Sequence, residues 1–279
     1  MKYLYCLDSV PNLFGFFDTT IAPHFLYYAY IPIIFLSLFF GLYIFFKDSY
    51  SLQSRLLLAL SISFVGWVIN ILFQWIAVYT GVVYFSAQIT AFFEVMIFVI
   101  TTYSAFVFLT KRDLPFGAKL FLGAIVLVVL ALLPTRINVI SFDLGNCQGN
   151  VGILWRYIYT AEVVSICCIL YLGLRTFFSA HTDQKFKKPA LYFTIGVVLF
   201  LLIFSLSNIF GEVFKTYRIN LVGPLGMVMF LALMGYLIVK YRTFNVKLIG
   251  AQVLVVSLWV ALAAVLFVRT IENVRIIVA

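Results

Sequence analysis

Residues Tyr84–Leu109 read YFSAQITAFFEVMIFVITTYSAFVFL, and this stretch decides the fold class. The run exceeds the ~20 residues that a helix needs to cross a bilayer, and Glu94 is its one charged side chain. A helix that is apolar on every side belongs in lipid or in a large buried core. The stretch therefore predicts a membrane-spanning helix with a carboxyl group near its middle.

The rest of the 279-residue chain has the same character. Hydrophobic residues make up 65% of it and charged residues 10%, whereas soluble domains carry about 25% charged residues. Four cysteines are too sparse for a secreted disulfide scaffold, and a 19% aromatic content excludes disorder. The chain is therefore predicted to be an all-α, polytopic helical membrane bundle.

Eight hydrophobic stretches predict crossings, namely Phe25–Phe46, Leu56–Val78, Tyr84–Leu109, Leu120–Leu133 (beginning near Phe116), Ile153–Leu174, Ala190–Phe210, Leu221–Val239 and Ala251–Val268. The expected architecture is seven transmembrane helices plus an eighth, C-terminal one that is cut short at the end of the sequence. Three regions follow from it: an extracytoplasmic N-terminal segment (1–23), a seven-helix domain (24–248) and the additional helix (249–279).

Basic residues are distributed unequally between the two sides of this bundle. Twelve of the 19 follow crossings one, three, five and seven: Lys47, Arg55, Lys111, Arg112, Lys119, Arg175, Lys185, Lys187, Lys188, Lys240, Arg242 and Lys247. Cytoplasmic loops carry the excess of Lys and Arg in membrane proteins. The N-terminus is therefore expected outside the cell (inner or plasma) membrane. The net charge of +9 is accordingly assigned to membrane orientation and not to nucleic-acid binding.

Two carboxyl groups lie within the predicted crossings, at Glu94 and Glu162. A carboxylate in hydrocarbon costs at least ~2.5–3.5 kcal/mol, so both should face the bundle interior. The other polar side chains predicted to line an outward-facing pocket for a small ligand or protons are Asn70, Gln74, Gln88, Asn208 and Arg156. For the amide side chains, interhelical hydrogen bonding that only holds the bundle together is the alternative.

The cysteines and histidines limit which disulfides and metal sites the chain can form. Cys6 and Cys147 both fall on the exported side, which permits a disulfide, although two unrelated thiols are the alternative. Cys167 and Cys168 lie in mid-helix and are expected to pack as small apolar side chains. The two histidines fall on opposite sides, which argues against a zinc or bis-histidine haem site. No catalytic residue, metal or cofactor is predicted.

A sequence resemblance begins at the seventh crossing. Gly223-Pro224-Leu225-Gly226 opens that crossing, and GYLIVKYRTFNVK, residues 235–247, closes it. Both resemble the end of the seven-transmembrane N-terminal sensor region of bacterial histidine kinases, where a Gly-Pro entry and an Ala-Ile-x-Lys/Arg-Tyr-Arg-x-Phe-Asp/Asn-Ile/Val exit recur. The likeness covers residues 5–248 and includes the positions of Cys6 and Cys147.

The resemblance implies a signal-input module that couples an extracytoplasmic or intramembrane stimulus to a cytoplasmic output. Its exit residues would be Lys240, Tyr241, Arg242, Phe244 and Asn245. The family continues into a cytoplasmic kinase core, through which it forms homodimers, and neither a phospho-accepting histidine box nor a nucleotide lid occurs before Ala279. This chain is therefore not expected to be an enzyme by itself. Alternatives are a small-solute or ion transporter using Glu94 and Glu162, and a structural partner.

Overall fold

A computed structural model describes residues 24–77, 79–143, 148–180, 182–214 and 217–241. The α-helices in these ranges are α1 (His24–Lys47), α2 (Leu52–Ile76), α3 (Thr80–Thr110), α4 (Phe116–Leu132), α5 (Ile153–Phe178), α6 (Gln184–Phe214) and α7 (Gly223–Tyr241). An antiparallel hairpin of β1 (Val139–Asp143) and β2 (Gln148–Val151) separates α4 from α5. A 3-10 helix (Tyr217–Val222) leads into α7.

Six helical stretches are long and apolar enough to cross a membrane: Ala29–Lys47, Leu52–Ile76, Thr80–Thr110, Ile153–Phe178, Gln184–Phe214 and Ile219–Ile238. Helix α4 is apolar too, but its 17 residues make it shorter. These helices indicate a multi-pass membrane protein and confirm the all-α prediction at that level. The predicted eighth crossing, Ala251–Val268, and the regions 1–23 and 249–279 lie outside the described residues.

Several helices extend beyond the apolar stretches that predicted them. Helix α6 was expected at Ala190–Phe210 and runs from Gln184 to Phe214, whereas α4 begins at Phe116 as expected. Hydropathy detects only the part of a helix that lies in hydrocarbon, while backbone hydrogen bonding continues the helix into the polar zone. The extra turns at the start of α6 contain Lys185, Lys187 and Lys188.

A short hairpin interrupts the succession of helices between α4 and α5. Val139 pairs with Val151 and Phe142 pairs with Gly149, with an irregularity in register between Val139 and Ser141. The edge of the Phe142 ring meets the Tyr84 ring of α3 at 6.0 Å between centroids. A hairpin this short leaves no signal in a hydropathy profile, because its strands are shorter than any crossing.

The chain divides into two compact units, and α2, α3 and α5 each contribute one part to each unit. The first unit contains Ser63–Val99 and Leu114–Ser165. Its apolar core joins α3, α4 and α5 through Ala91, Val95, Val129, Leu154, Trp155 and Ile158.

The second unit contains His24–Ile62, Ile100–Asp113 and the described residues from Ile166 onward. Within it, α6 packs along α7, and α1 also contacts α7. Buried aromatic rings fill this core, with the Phe200 and Phe230 rings stacked at 5.6 Å and the Phe108 and Phe193 rings at 4.0 Å.

The outward face of α5 carries two cysteines. Cys167 and Cys168 are exposed there, in mid-helix, and their packing as small apolar side chains stays a prediction. They share this face with Val163, Val164 and Tyr171, which are exposed as well. Lipid is as apolar as a protein core, so a small apolar side chain gains little by turning inward.

Candidate functional site

Helix α3 carries a buried polar stripe in the first unit. Ser86, Thr90 and Glu94 follow at intervals of four residues and are all buried. With 3.6 residues per turn, this spacing places the three side chains on one face of the helix. The prediction that Thr90 and Glu94 share a face is therefore consistent with their common burial.

The predicted pocket residues Asn70 and Gln74 of α2 meet this stripe at Thr90. The Thr90 hydroxyl accepts hydrogen bonds from Asn70 Nδ2 at 2.9 Å and from Gln74 Nε2 at 2.6 Å, and it donates to the Ser86 carbonyl at 2.9 Å. Asn70 Nδ2 also donates to the Ser86 carbonyl, at 2.9 Å. The network is closed between α2 and α3, which favours interhelical hydrogen bonding over ligand binding for these two amides.

Removing the shared acceptor should weaken this contact. We expect Thr90→Val to lower the free energy of unfolding by about 1–2 kcal/mol, because the Asn70 and Gln74 amides lose a partner while the side-chain volume hardly changes. Unfolding by SDS in mixed micelles measures the difference. The matched control is Thr160→Val, since the Thr160 hydroxyl is exposed and bonds only the Arg156 carbonyl one turn earlier. Equal losses in the two variants would contradict the network.

Glu94 and Glu162 lie in the first unit and are its buried carboxyl groups within the described residues, with 1% and 0% of their surface exposed. Both are close in sequence to residues of the same apolar core. Glu94 directly precedes Val95, and Glu162 follows Ile158 by one turn of α5. The inward orientation expected from the cost of a carboxylate in hydrocarbon is thus found for both.

Asn138, which precedes the hairpin, connects three helices of the first unit, and sequence reasoning missed it. It is completely buried. Its Nδ2 donates to the carbonyls of Gln88 and Leu133, each at 3.0 Å, and its Oδ1 accepts from Trp155 Nε1 at 3.1 Å. One amide therefore joins α3, the end of α4 and the start of α5. Gln88 enters this arrangement through its backbone carbonyl.

The remaining predicted site residues are not brought into one group. Arg156 is exposed on α5, away from the buried Glu162. Asn208 is buried, but it belongs to α6 in the second unit. The predicted disulfide partners Cys6 and Cys147 lie outside the described residues. The pocket as a whole and the disulfide stay predictions.

Two of the predicted exit residues, Lys240 and Tyr241, lie in an aromatic cluster at the end of α7. The Lys240 ammonium donates a hydrogen bond to the Tyr236 hydroxyl, which raises the pKa of Lys240 above its ordinary value. The Tyr192 ring of α6 meets the rings of Tyr236 and Tyr241 at 5.7 Å and 6.2 Å. Sequence reasoning did not identify Tyr192 or Tyr236, although Tyr236 and Lys240 are one helical turn apart, a spacing that predicts contact.

The other exit residues, Arg242, Phe244 and Asn245, lie outside the described residues. Within the part that is described, the aromatic cluster connects the end of α7 to the beginning of α6.

Comparison with known proteins does not identify a family: no protein-family model, no curated protein and no solved structure matches the chain.

Proposed function

We propose that the chain is the signal-input module of a two-component-type sensor in the cell membrane, with its N-terminus outside. The observation that carries the proposal is the burial of two carboxyl groups, Glu94 and Glu162, in one unit of a bundle whose helices are otherwise largely apolar. An ionisable residue within a membrane is a functional candidate by default, because its charged form is expensive there.

The free-energy cost of a charge in the membrane would drive the conformational response to the stimulus. If a stimulus changes the charge of one buried carboxyl group, about 2.5 kcal/mol becomes available to favour one packing of the helices over another. This energy corresponds to a shift of about 70-fold in a two-state equilibrium. Helices α2, α3 and α5 run from the unit of the glutamates into the unit of α7. Each is a continuous path for such a change.

The output is proposed to leave through the end of α7. Its contacts support this role, because Lys240 and Tyr241 are held to α6 through Tyr192 and Tyr236. A change in the packing of α6 against α7 would therefore reach the exit sequence at 240–247. The resemblance of that sequence to histidine-kinase sensor regions supports a cytoplasmic kinase core as the receiver, with homodimerisation through that core.

A transporter or channel is the second candidate, and the same glutamates favour it. Buried carboxyl groups commonly mark proton and cation pathways in membrane proteins. Glu94 and Glu162 lie on two helices that share one apolar core. The candidates differ in one property. A sensor changes conformation without net flux, whereas a transporter moves its substrate.

Both candidates are tested on the full chain in proteoliposomes. A fluorophore is attached at Thr243→Cys in a background that lacks the four native cysteines, and the pH is stepped from about 8 to about 5 as the probe of carboxyl charge. We expect the fluorescence of the labelled wild-type protein to change when the pH is lowered. The double variant Glu94→Gln/Glu162→Gln should lose this change, and Glu212→Gln should keep it. Glu212 is the matched control because it is half-buried near the end of α6.

Two results would overturn the sensor proposal. The first is a wild-type exit that does not respond, or a response that survives in the double variant. The second is collapse of an imposed proton gradient by the wild type and not by the double variant, which would favour the transporter.

A further inference from the structure

The α3–α4 turn begins with a lysine in an unusual backbone conformation. Lys111 follows the last residue of α3 with a φ of 57°, the left-handed region, and it is the one non-glycine residue with positive φ among those described. Its N–H donates to the Val107 carbonyl at 3.0 Å, and the Arg112 N–H donates to the Thr110 hydroxyl at 3.3 Å. The turn thus has a defined geometry that places two adjacent cations at the end of the helix.

Lys111 also joins this turn to the beginning of α6. Its Nζ lies 4.3 Å from the centroid of the Phe186 ring and 4.6 Å from that of Phe108. The Phe108 ring in turn stacks on Phe193 of α6 at 4.0 Å. Burial among these rings lowers the pKa of Lys111. A partly dehydrated ammonium held by aromatic faces has lost water that an anion could replace.

Three further lysines flank Phe186 in the first turns of α6. The resulting α3–α6 basic surface consists of Lys111, Arg112, Lys185, Lys187 and Lys188, and none of them forms an ion pair within the described part of the chain. The two nearby acids are engaged locally. Asp113 accepts a hydrogen bond from the Tyr103 hydroxyl at 2.6 Å, and Asp183 accepts one from the Lys185 N–H at 3.0 Å.

The position of the α3–α6 basic surface indicates which kind of anion neutralises its positive charge. Lys111 directly follows the membrane-spanning stretch Thr80–Thr110, and the three lysines lie at the start of the stretch Gln184–Phe214. Phe178, at the end of α5, is 75% exposed five residues before Asp183. Exposed aromatic rings beside basic residues at helix ends are typical of the level of the lipid headgroups.

We propose that the α3–α6 basic surface binds the phosphate groups of anionic phospholipids in the adjacent leaflet. The Lys111–Phe186 contact holds the cations of two helices, far apart in sequence, around one headgroup. The inference does not depend on the function proposed above, since it concerns a different set of residues and a different ligand.

The test measures retention of phosphatidylglycerol by the full chain, using native mass spectrometry after purification from nanodiscs that contain about 30% of this lipid in phosphatidylcholine. Each cation removed should weaken binding about fivefold, so Arg112→Gln/Lys188→Gln should lose about 25-fold. The matched control, Arg136→Gln, removes one charge from an exposed residue elsewhere, as the single variant Arg112→Gln does, and should retain the lipid. If the double variant folds poorly, the single variants with their fivefold losses give the same answer.

Three outcomes would overturn the proposal. They are unchanged retention in the double variant, a loss in the control equal to that of Arg112→Gln, or displacement of the lipid by inorganic phosphate at low millimolar concentration. The last outcome would make a soluble phosphate compound the ligand.

Discussion

Replacing Asn138 with leucine is expected to lower the free energy of unfolding by about 3 kcal/mol or more. The substitution removes one acceptor and two donors. It leaves the indole N–H of the buried Trp155 and the carbonyl of the half-buried Leu133 without Asn138 as a partner. Each buried polar group that loses its partner costs about 1–3 kcal/mol. Unfolding by SDS in mixed micelles measures the loss.

The matched control is Asn150→Leu in the neighbouring hairpin. Asn150 is exposed, and its Nδ2 donates a hydrogen bond to the Ser141 hydroxyl at 2.9 Å. Exposed substitutions of this kind change stability by about 0.5 kcal/mol or less. If Asn138→Leu were as mild as Asn150→Leu, Asn138 would not join the helices as described.

Gly226→Leu is expected to separate α7 from α6 and to cost about 3 kcal/mol or more. A Cβ atom at Gly226 would lie 2.9 Å from the Phe200 carbonyl oxygen and 3.3 Å from its Cα. These atoms belong to the backbone of α6, so no side-chain rotation can relieve the clash, and overpacking against side chains alone already costs about 1–3 kcal/mol. Glycine is therefore required at position 226 because the backbones of α6 and α7 approach each other closely there.

Gly123→Leu in α4 isolates this steric effect. Apart from the adjoining residues and backbone of α4 itself, nothing lies within 4 Å of the position where a Cβ would be built at Gly123. Leucine raises both helix propensity and hydropathy at the two positions equally, so the difference between the variants reports the clash. Melting of each variant in the same detergent gives the comparison, and indistinguishable melting would show that α6 and α7 do not approach closely at Gly226.

Hydropathy located the described helices, because a segment in lipid must satisfy its backbone N–H and C=O groups internally and a helix does so. It located α4 near Phe116, and the cost of a buried carboxylate predicted correctly that Glu94 and Glu162 face inward. Both arguments are local, since they depend on the composition of one segment and on the solvent around it.

The contacts that connect segments were not predictable in this way. Asn138 and the Gln88 carbonyl are 50 positions apart, and the Lys111–Phe186 contact also joins distant parts of the chain. No local pattern encodes such pairs. The orientation of Cys167 and Cys168 was not predictable for another reason. Apolar residues meet similar surroundings in lipid and in the bundle, so the sequence distinguishes inside from outside mainly through polar side chains.

The outward face of α5 gives the protein a native pair of reporter groups. The thiols of Cys167 and Cys168 are open on a mid-helix surface. Maleimides react with the thiolate, which forms only where water is present, so both thiols stay unreactive wherever lipid or a second molecule covers this face. The rate of alkylation in the unmodified protein thus measures how far water reaches along α5.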